Sequence, residues 1–261
     1  MPERTYRCPI CLDLGYVVKG KGEFATAQVC ECSAHCEVCG DLGYVMVRTD
    51  QGVVAQKCTC TRLRERVKRF NKAMVPARYA EKTLERYRPL TPLQAEIKGY
   101  LSRYRDEYLP GSKGVLLWGD TGVGKTHLAV SVVRYLTLEK GISARFVEFF
   151  DLLQQIKALF SEGKSGSELM KVLNEVDVLV IDELGKGRGT QWELEVLDQL
   201  ISARYNSGKT LIATTNYSVK PGIPGGLEER VGKRVMSRLM EMCEFFFVDG
   251  PDFRTLQNTS L

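Results

Sequence analysis

No run of this 261-residue chain approaches the roughly 18 consecutive apolar residues of a bilayer-spanning helix. The opening MPERTYRCPI lacks the apolar core of a secretory signal, so the cytosol is the expected compartment. Nor is there the bias of a disordered or collagenous chain: 44% of residues are hydrophobic and 26% charged, near the average of soluble globular proteins. Histidine is scarce, at two residues, and past residue 60 cysteine falls to one, Cys243. His127 and Cys243 have no recognisable catalytic partner and are read as helix-surface or packing residues. The length leaves room for one full-sized domain and a small second one.

Basic charge is missing from most of the chain, although the formal total is +5. Residues 1–60 carry 6 Lys+Arg against 7 Asp+Glu, and residues 89–261 carry 21 against 22. The excess sits in residues 61–88, with 10 against 3. Such a composition shift marks a connector with its own task rather than a generally basic protein. Three segments follow: a cysteine-rich module over 1–60, a basic helical connector over 61–76 and a larger domain over 77–261.

Eight of the nine cysteines precede residue 61, and shifting that segment by 28 positions lays it on itself. Cys8, Cys11, Cys30 and Cys32 fall on Cys36, Cys39, Cys58 and Cys60, and Asp13-Leu14-Gly15-Tyr16-Val17 falls on Asp41-Leu42-Gly43-Tyr44-Val45. Each copy reads as a hairpin with a cysteine pair at either end. Four thiolates suit a closed tetrahedral Zn²⁺ site, and a unit below about 40 residues normally needs a metal, disulfide or partner to hold a fold. Two zinc ions are therefore expected, against disulfides or unliganded thiols as the alternatives. Pairing within each copy makes the unit self-sufficient; a nested arrangement would instead join Cys30, Cys32, Cys36 and Cys39. His35, in the gap between copies, is read as a solvated loop residue because four cysteines per site are already present. Two Zn(Cys)4 centres would leave the module acidic, which argues against its gripping phosphates unaided.

From Thr61 the apolar spacing turns helical, through Leu63, Val67, Phe70 and Met74, with Arg62, Arg64, Arg66, Lys68, Arg69 and Lys72 around them. Such a helix either packs its stripe on the next domain or meets nucleic acid. A membrane-surface role is disfavoured by the short stripe and the lack of Trp. Pro76 is expected to end it.

Val115–Trp118 is a short apolar strand, and Gly119-Asp120-Thr121-Gly122-Val123-Gly124-Lys125-Thr126 after it satisfies G-x-x-x-x-G-K-[ST] ahead of a helical pattern. In that setting backbone amides wrap ATP phosphates at a helix N-terminus, Lys125 reaches the β and γ phosphates, and Thr126 offers its hydroxyl to Mg²⁺. A second apolar strand, Val178–Ile181, ends in Asp182-Glu183. Asp182 would hold the Mg²⁺ shell and Glu183 would polarise a water for attack on the γ-phosphate. Thr210–Thr215 is a further strand, and Asn216 at its end either holds the attacking water or is a turn residue. A helix through Leu194 and Tyr205 and a last strand at Phe245–Val248 complete an alternating pattern. That pattern implies an α/β fold, a parallel sheet with helices on both faces and the nucleotide at its carboxyl edge. A helix near 227–240 carries Leu227, Val231, Val235 and Leu239 beside a track of Arg230, Arg234 and Arg238, which points either to an anionic partner such as a neighbour's ATP or to a solvated basic face.

GDTGVGKTHLAV, VDVLVIDELG, TLIATTN, RVMSRLME and the closing DFR together resemble the AAA+ ATPases of the DnaC and DnaI helicase-loader type, whose features the IstB transposition helpers share. The resemblance runs from Pro76 onward. It implies an AAA+ P-loop sheet, and roles for Asn216 as sensor 1, Arg238 as arginine finger and Arg254 as sensor 2. It also implies self-association through ATP, a replicative helicase as partner and single-stranded DNA as the track. Two departures stand out: the lid domain is expected to be absent or minimal, and the duplicated cysteine unit is more elaborate than a usual single zinc module. Lys186 and Arg188, after Glu183, are candidate DNA contacts or part of a mobile loop.

Three functions fit. One is an ATP-hydrolysing assembly factor that loads the replicative helicase; another is a transposition helper that coats duplex DNA and recruits a transposase; the third is a zinc-scaffold adaptor with an ATP switch of negligible turnover. A small-molecule kinase fits less well, because Asp182-Glu183 suits water better than a substrate hydroxyl.

Overall fold

The computed structural model describes residues 6–50 and 52–258, so the outermost ends of the expected 1–60 and 77–261 segments, and the first five residues of the opening stretch, lie outside the described residues. Five parallel strands form the central sheet: β5 (Gly114–Trp118), β6 (Ala144–Glu148), β7 (Val178–Asp182), β8 (Thr210–Thr215) and β9 (Cys243–Phe247), in the order β6-β7-β8-β5-β9. Strands β7 and β8 are buried at every position because both faces are covered. Successive residues point to opposite cores. Val115, Leu117, Val178, Val180 and Ile212 join one cluster, and Leu116, Leu179, Ile181, Leu211 and Ala213 the other.

The first cluster is closed by α1 (Cys60–Ala73), α2 (Pro92–Glu107) and α3 (Lys125–Leu138). The second is closed by α4 (Phe149–Ser161), α5 (Ser167–Glu175), α6 (Gln191–Asn206), α7 (Leu227–Val231) and α8 (Lys233–Met242). Among the described residues no helix is long and apolar enough to cross a membrane. The expected single helix over 227–240 is interrupted. Gly232 takes φ 84° and ψ 152°, a conformation that favours glycine, and divides it into α7 and α8 while Leu227, Val231, Val235 and Leu239 all stay buried. The last strand starts two residues earlier than expected, at Cys243, whose buried thiol packs against the Leu211 carbonyl.

The connector helix starts on Cys60 and ends at Ala73, not at Pro76, because Met74 adopts the left-handed conformation (φ 54°). Its stripe packs inward: Val67, Phe70 and Ala73 are buried in the first core. Arg66 donates to the Glu139 carbonyl at 2.9 Å and Arg69 to that of Gly141, so two of its cations neutralise the C-terminal end of α3.

The two cysteine hairpins, β1 (Tyr16–Lys21) with β2 (Phe24–Val29) and β3 (Tyr44–Thr49) with β4 (Gly52–Lys57), share one antiparallel register. Their surroundings differ. Tyr16, Ala25 and Ala27 of the first belong to the same core as the sheet. Asn71 of α1 accepts from the Ala27 amide at 2.7 Å and donates to its carbonyl at 3.0 Å. After Met74 the chain runs along β2, with Ala25 N–H donating to the Val75 carbonyl and Ala77 N–H to that of Glu23.

Arg204 of α6 is fully buried and donates to four carbonyls, those of Leu173, Val176, Asp177 and Thr210, tying α5 to the starts of β7 and β8. Burial pushes its guanidinium down to about 10, which still leaves it charged at neutral pH. Arg204→Met strands these acceptors, so unfolding of the zinc-loaded protein in urea should show a loss of about 3 kcal/mol. A change under about 1 kcal/mol would refute that role for the guanidinium.

Candidate nucleotide site and metal centres

The expected phosphate cradle lies between β5 and α3, with Gly124 at the N-cap of α3 in the left-handed region (φ 97°). A side chain there would meet the Tyr87 ring at 2.7 Å, and the Tyr87 hydroxyl donates to the Val123 carbonyl at 3.3 Å. Lys125 Nζ donates inward to the carbonyls of Gly119 (2.8 Å) and Asp120 (2.5 Å). Burial pushes its amine down to about 8, against the attraction of Asp182, Asp120 and Glu183. The turn is therefore closed on its own lysine, which would exchange carbonyls for phosphate oxygens.

Thr126 and Asp182 are brought together, with the threonine hydroxyl donating to Asp182 Oδ1 at 2.9 Å. Thr214 of β8 donates to the same oxygen at 2.6 Å and accepts from the Glu183 amide at 3.0 Å. Burial lifts the Asp182 carboxyl above its ordinary range despite these bonds from Thr214 and Thr126. A buried carboxylate beside a threonine hydroxyl is a donor set that fits Mg²⁺, whose charge would favour the ionised form. Glu183 has φ 54° and turns its partly exposed carboxylate to Lys186, which also reaches Glu148 Oε1 at 3.3 Å. Lys186, a candidate DNA contact, is thus held by two carboxylates, while Arg188 is exposed.

Asn216 lies exposed just past β8. Arg254 opens the second residue of α9 (Phe253–Asn258), near enough to Lys125 to depress its amine further. The segment is seated on the cradle: Phe253 N–H donates to the Gly122 carbonyl at 3.1 Å. Arg238 stands apart from these groups and pairs with Asp198 at 3.0 Å, while Arg234 lies 3.8 Å from the same carboxylate. Arg230 donates to the Gly187 carbonyl and covers the Tyr217 ring. Each arginine of the expected track therefore has a partner within the chain. His127 Nε2 is 2.8 Å from the Thr83 carbonyl and its ring meets Tyr87 edge-on, as a packing residue would.

Three site residues escaped the sequence reading. Thr214 was hidden inside an apolar strand, and only the adjacency of β7 and β8 gives it meaning. Tyr79, near the start of the expected 77–261 domain, belongs to no motif; it lies by Asp182, and burial followed by that carboxylate keeps its phenol above its ordinary range. Tyr87 backs the turn from a segment with no periodic pattern.

The eight cysteines gather within copies, not across them. In each group of four every sulfur lies within 4.8 Å of the others. Cys8–Cys30 and Cys36–Cys58 are 3.9 and 3.7 Å apart, and Cys11–Cys32 and Cys39–Cys60 are 3.4 and 3.5 Å apart. Tetrahedral Zn–S bonds of about 2.3 Å would separate sulfurs by roughly 3.8 Å, whereas a disulfide would bring a pair to about 2.05 Å. Backbone amides of Cys11 and Ile10 pull Cys8 down to about 7, and the Cys60 amide does the same for Cys58. Burial and Cys39 push Cys60 up to about 12. Four adjacent thiols cannot all ionise unaided, and a divalent cation removes that conflict, so both groups fit zinc. The repeated aspartates hold the turns: Asp13 accepts from the Arg7 and Cys8 amides, and Asp41 accepts from the Cys36 amide and pairs with exposed His35 at 2.8 Å.

A family model for IstB-like ATP-binding proteins matches residues 52–260. The chain belongs to the IstB-like ATP-binding protein family. This family member is 31% identical over 134 residues to the uncharacterised protein YdaV of Escherichia coli K12, and 26% identical over 171 residues to the replicative helicase loader DnaC of the same strain. It spans 52% of YdaV and 67% of DnaC, which match 51% and 65% of it. A crystal structure of the DnaC helicase loader superposes with a TM-score of 0.61 at 34% identity, covering 66% of this IstB-like chain and 99% of the other. The sheet is thus that of an AAA+ domain.

Nucleotide binding should carry a proton signature. Lys125 is partly neutral above pH 8 in the empty cradle, and phosphate favours its ammonium form, so binding takes up a proton there. Affinity for ATP should fall by about tenfold from pH 7 to 9. Calorimetry at pH 8.5 in two buffers of different ionisation enthalpy should register the uptake, and Lys125→Ala should abolish it. Equal heats in both buffers would rule it out.

Proposed function

We propose that this chain is an ATP-hydrolysing AAA+ assembly factor that loads the replicative helicase onto single-stranded DNA in the cytoplasm. The reading is carried by one observation: the Thr126–Asp182–Thr214 group, with Glu183 beside it, stands at the carboxyl edge of a sheet that superposes on a DnaC helicase loader at 34% identity. In this reading the cradle of Gly119–Thr126 binds ATP and Thr126 and Asp182 hold Mg²⁺, which supplies charge neutralisation at the phosphates when bound. Glu183 leaves Lys186 to orient and deprotonate the attacking water, Asn216 assists at the end of β8, and Arg254 meets the phosphates from α9.

Arg238 acts on a neighbouring subunit's ATP once it parts from Asp198. Both side chains are about a quarter exposed, at 23% and 30%, so separating them costs at most about 1 kcal/mol. Lys186, freed by Glu183, and Arg188 are the DNA contacts, and the outer cysteine unit meets the helicase. The family match favours a second reading, a transposition helper on duplex DNA that recruits a transposase. The two part on partner: the first requires a nucleotide-sensitive complex with the cognate helicase, the second ATP-dependent filaments on duplex DNA without it.

Glu183→Gln should keep ATP binding and lower phosphate release about 10²- to 10⁴-fold, measured with Mg²⁺ and single-stranded DNA present. Turnover within a factor of about two of wild type would instead describe an ATP switch rather than a hydrolase.

A further inference from the structure

We infer that the inner cysteine unit is a positioning part of the nucleotide site. Zinc held by Cys8, Cys11, Cys30 and Cys32 and nucleotide held by the cradle favour each other's binding, through a strap formed by residues 75–87. The outer unit, Cys36, Cys39, Cys58 and Cys60, has no such strap. The inference deepens the ATPase reading and rests on it for the nucleotide.

The strap begins on the inner hairpin. Ala25 N–H donates to the Val75 carbonyl at 2.7 Å, Ala77 N–H donates to the Glu23 carbonyl at 2.9 Å, and Phe24 and Pro76 form an antiparallel bridge. Gly20 of β1 permits this approach, since a side chain there would meet the Ala77 carbonyl at 2.8 Å. Beyond that point the strap is fastened to α3. Arg134 donates to the Ala80 carbonyl, His127 Nε2 lies 2.8 Å from that of Thr83, and the Tyr87 hydroxyl donates to that of Val123 at 3.3 Å. As the strap advances, its partners step back from Arg134 to His127 to Val123, so it runs against the direction of α3 and ends behind the phosphate turn. There the Tyr87 ring fills the space that a Gly124 side chain would need. Val75, Ala80, Leu84 and Tyr87 are buried in the first core together with Tyr16, Ala25 and Ala27. A second tie reaches the far end of α3, where the Tyr16 hydroxyl donates to Glu139, the C-cap residue.

The coupling follows from what holds the hairpin. Two six-residue strands bury too little to stand alone, so four thiolates around a metal form their core. Without zinc, β2 no longer presents the Glu23 carbonyl and the Ala25 amide, and the buried Val75 carbonyl and the Ala77 amide lose their partners. Tyr87 is then steadied from one end of the strap only. The linkage is reciprocal: whatever factor inner zinc adds to nucleotide affinity, nucleotide adds to inner zinc affinity. The outer unit stands apart. Among the described residues none of β3 or β4 joins either core, and its ion pairs to α1 are exposed ones, Lys57 with Glu65 at 3.1 Å and Asp41 with Arg64 at 3.3 Å. Cys60 does open α1, but the first buried residue of that helix is Val67, about two turns further on.

The test titrates the full zinc-loaded chain to equilibrium with a chelator of known zinc affinity, with and without saturating Mg²⁺ and a non-hydrolysable ATP analogue. The analogue should raise the affinity for one ion by about fivefold or more and leave the other within a factor of about two. In C36S/C58S the nucleotide-sensitive ion should be the one that remains. Stripping that ion should lower affinity for the analogue, read by calorimetry, by the same factor. Hydrogen exchange should then quicken at the amides of Ala77, Ala80 and Tyr87 while β7 and β8 stay protected. Equal effects of the analogue on both ions, no effect on either, or analogue affinity unchanged by stripping would each overturn the proposal. So would exchange that is unaltered in the strap, or that quickens equally in β7 and β8, which would make the loss global. The wild-type titration stands without the variant, should C36S/C58S fail to fold. If zinc-loaded wild-type protein binds no analogue, the ATPase reading fails, and strap exchange on zinc removal still decides whether the strap depends on the inner centre.

Discussion

The chemistry of this molecule depends on keeping one carboxylate, that of Asp182, out of water. It ends a strand buried on both faces, and its oxygen is claimed by a hydroxyl from α3 and another from β8. Those two bonds fix three elements against each other at the sheet's carboxyl edge. Burial lifts the carboxyl above its ordinary range even so, and a divalent cation would pull it back down. The parallel sheet makes this possible, since only strands covered on both faces bring a charged tip so far inside. Lys125 shows the same economy from the opposite sign: a buried amine held by its own loop, with carbonyls where phosphate oxygens would go.

The cysteine units illustrate how one sequence element meets two fates. Both hairpins close around four sulfurs with the same register and the same aspartate-held turn. A hairpin of two short strands buries too little to stand alone, so the thiolate cluster is the core of each. What differs is a small-to-large change on one face, Val53 for Ala25 and Met46 for Val18, while Ala27 and Ala55 are alike. In the first unit small residues admit α1 closely enough for Asn71 to bond both backbone groups of Ala27.

Much of this was legible beforehand, for reasons that differ by element. The cradle and Asp182-Glu183 are read from local spacing, because phosphate and metal chemistry demands particular groups at particular steps along the chain. The pairing of cysteines within copies followed from the repeat, since each unit must supply its own core. Thr214, Tyr79 and Tyr87 were not legible: each matters only because distant segments meet, and strand order is not a local property. The break at Gly232 was hidden by a stripe, Leu227 to Leu239, that keeps its period across two helices. Arg238 was picked out for its spacing, whereas its pairing with Asp198 depends on how α6 lies beside α8.

The helix α1 begins on Cys60, a member of the outer sulfur cluster, and ends inside the core against α3, the helix that opens with Lys125. No slack peptide separates the two ends. The outer sulfur cluster is thus joined by a single helix to the C-terminal end of α3, where Arg66 and Arg69 hold the Glu139 and Gly141 carbonyls, and α3 opens at its other end with Lys125.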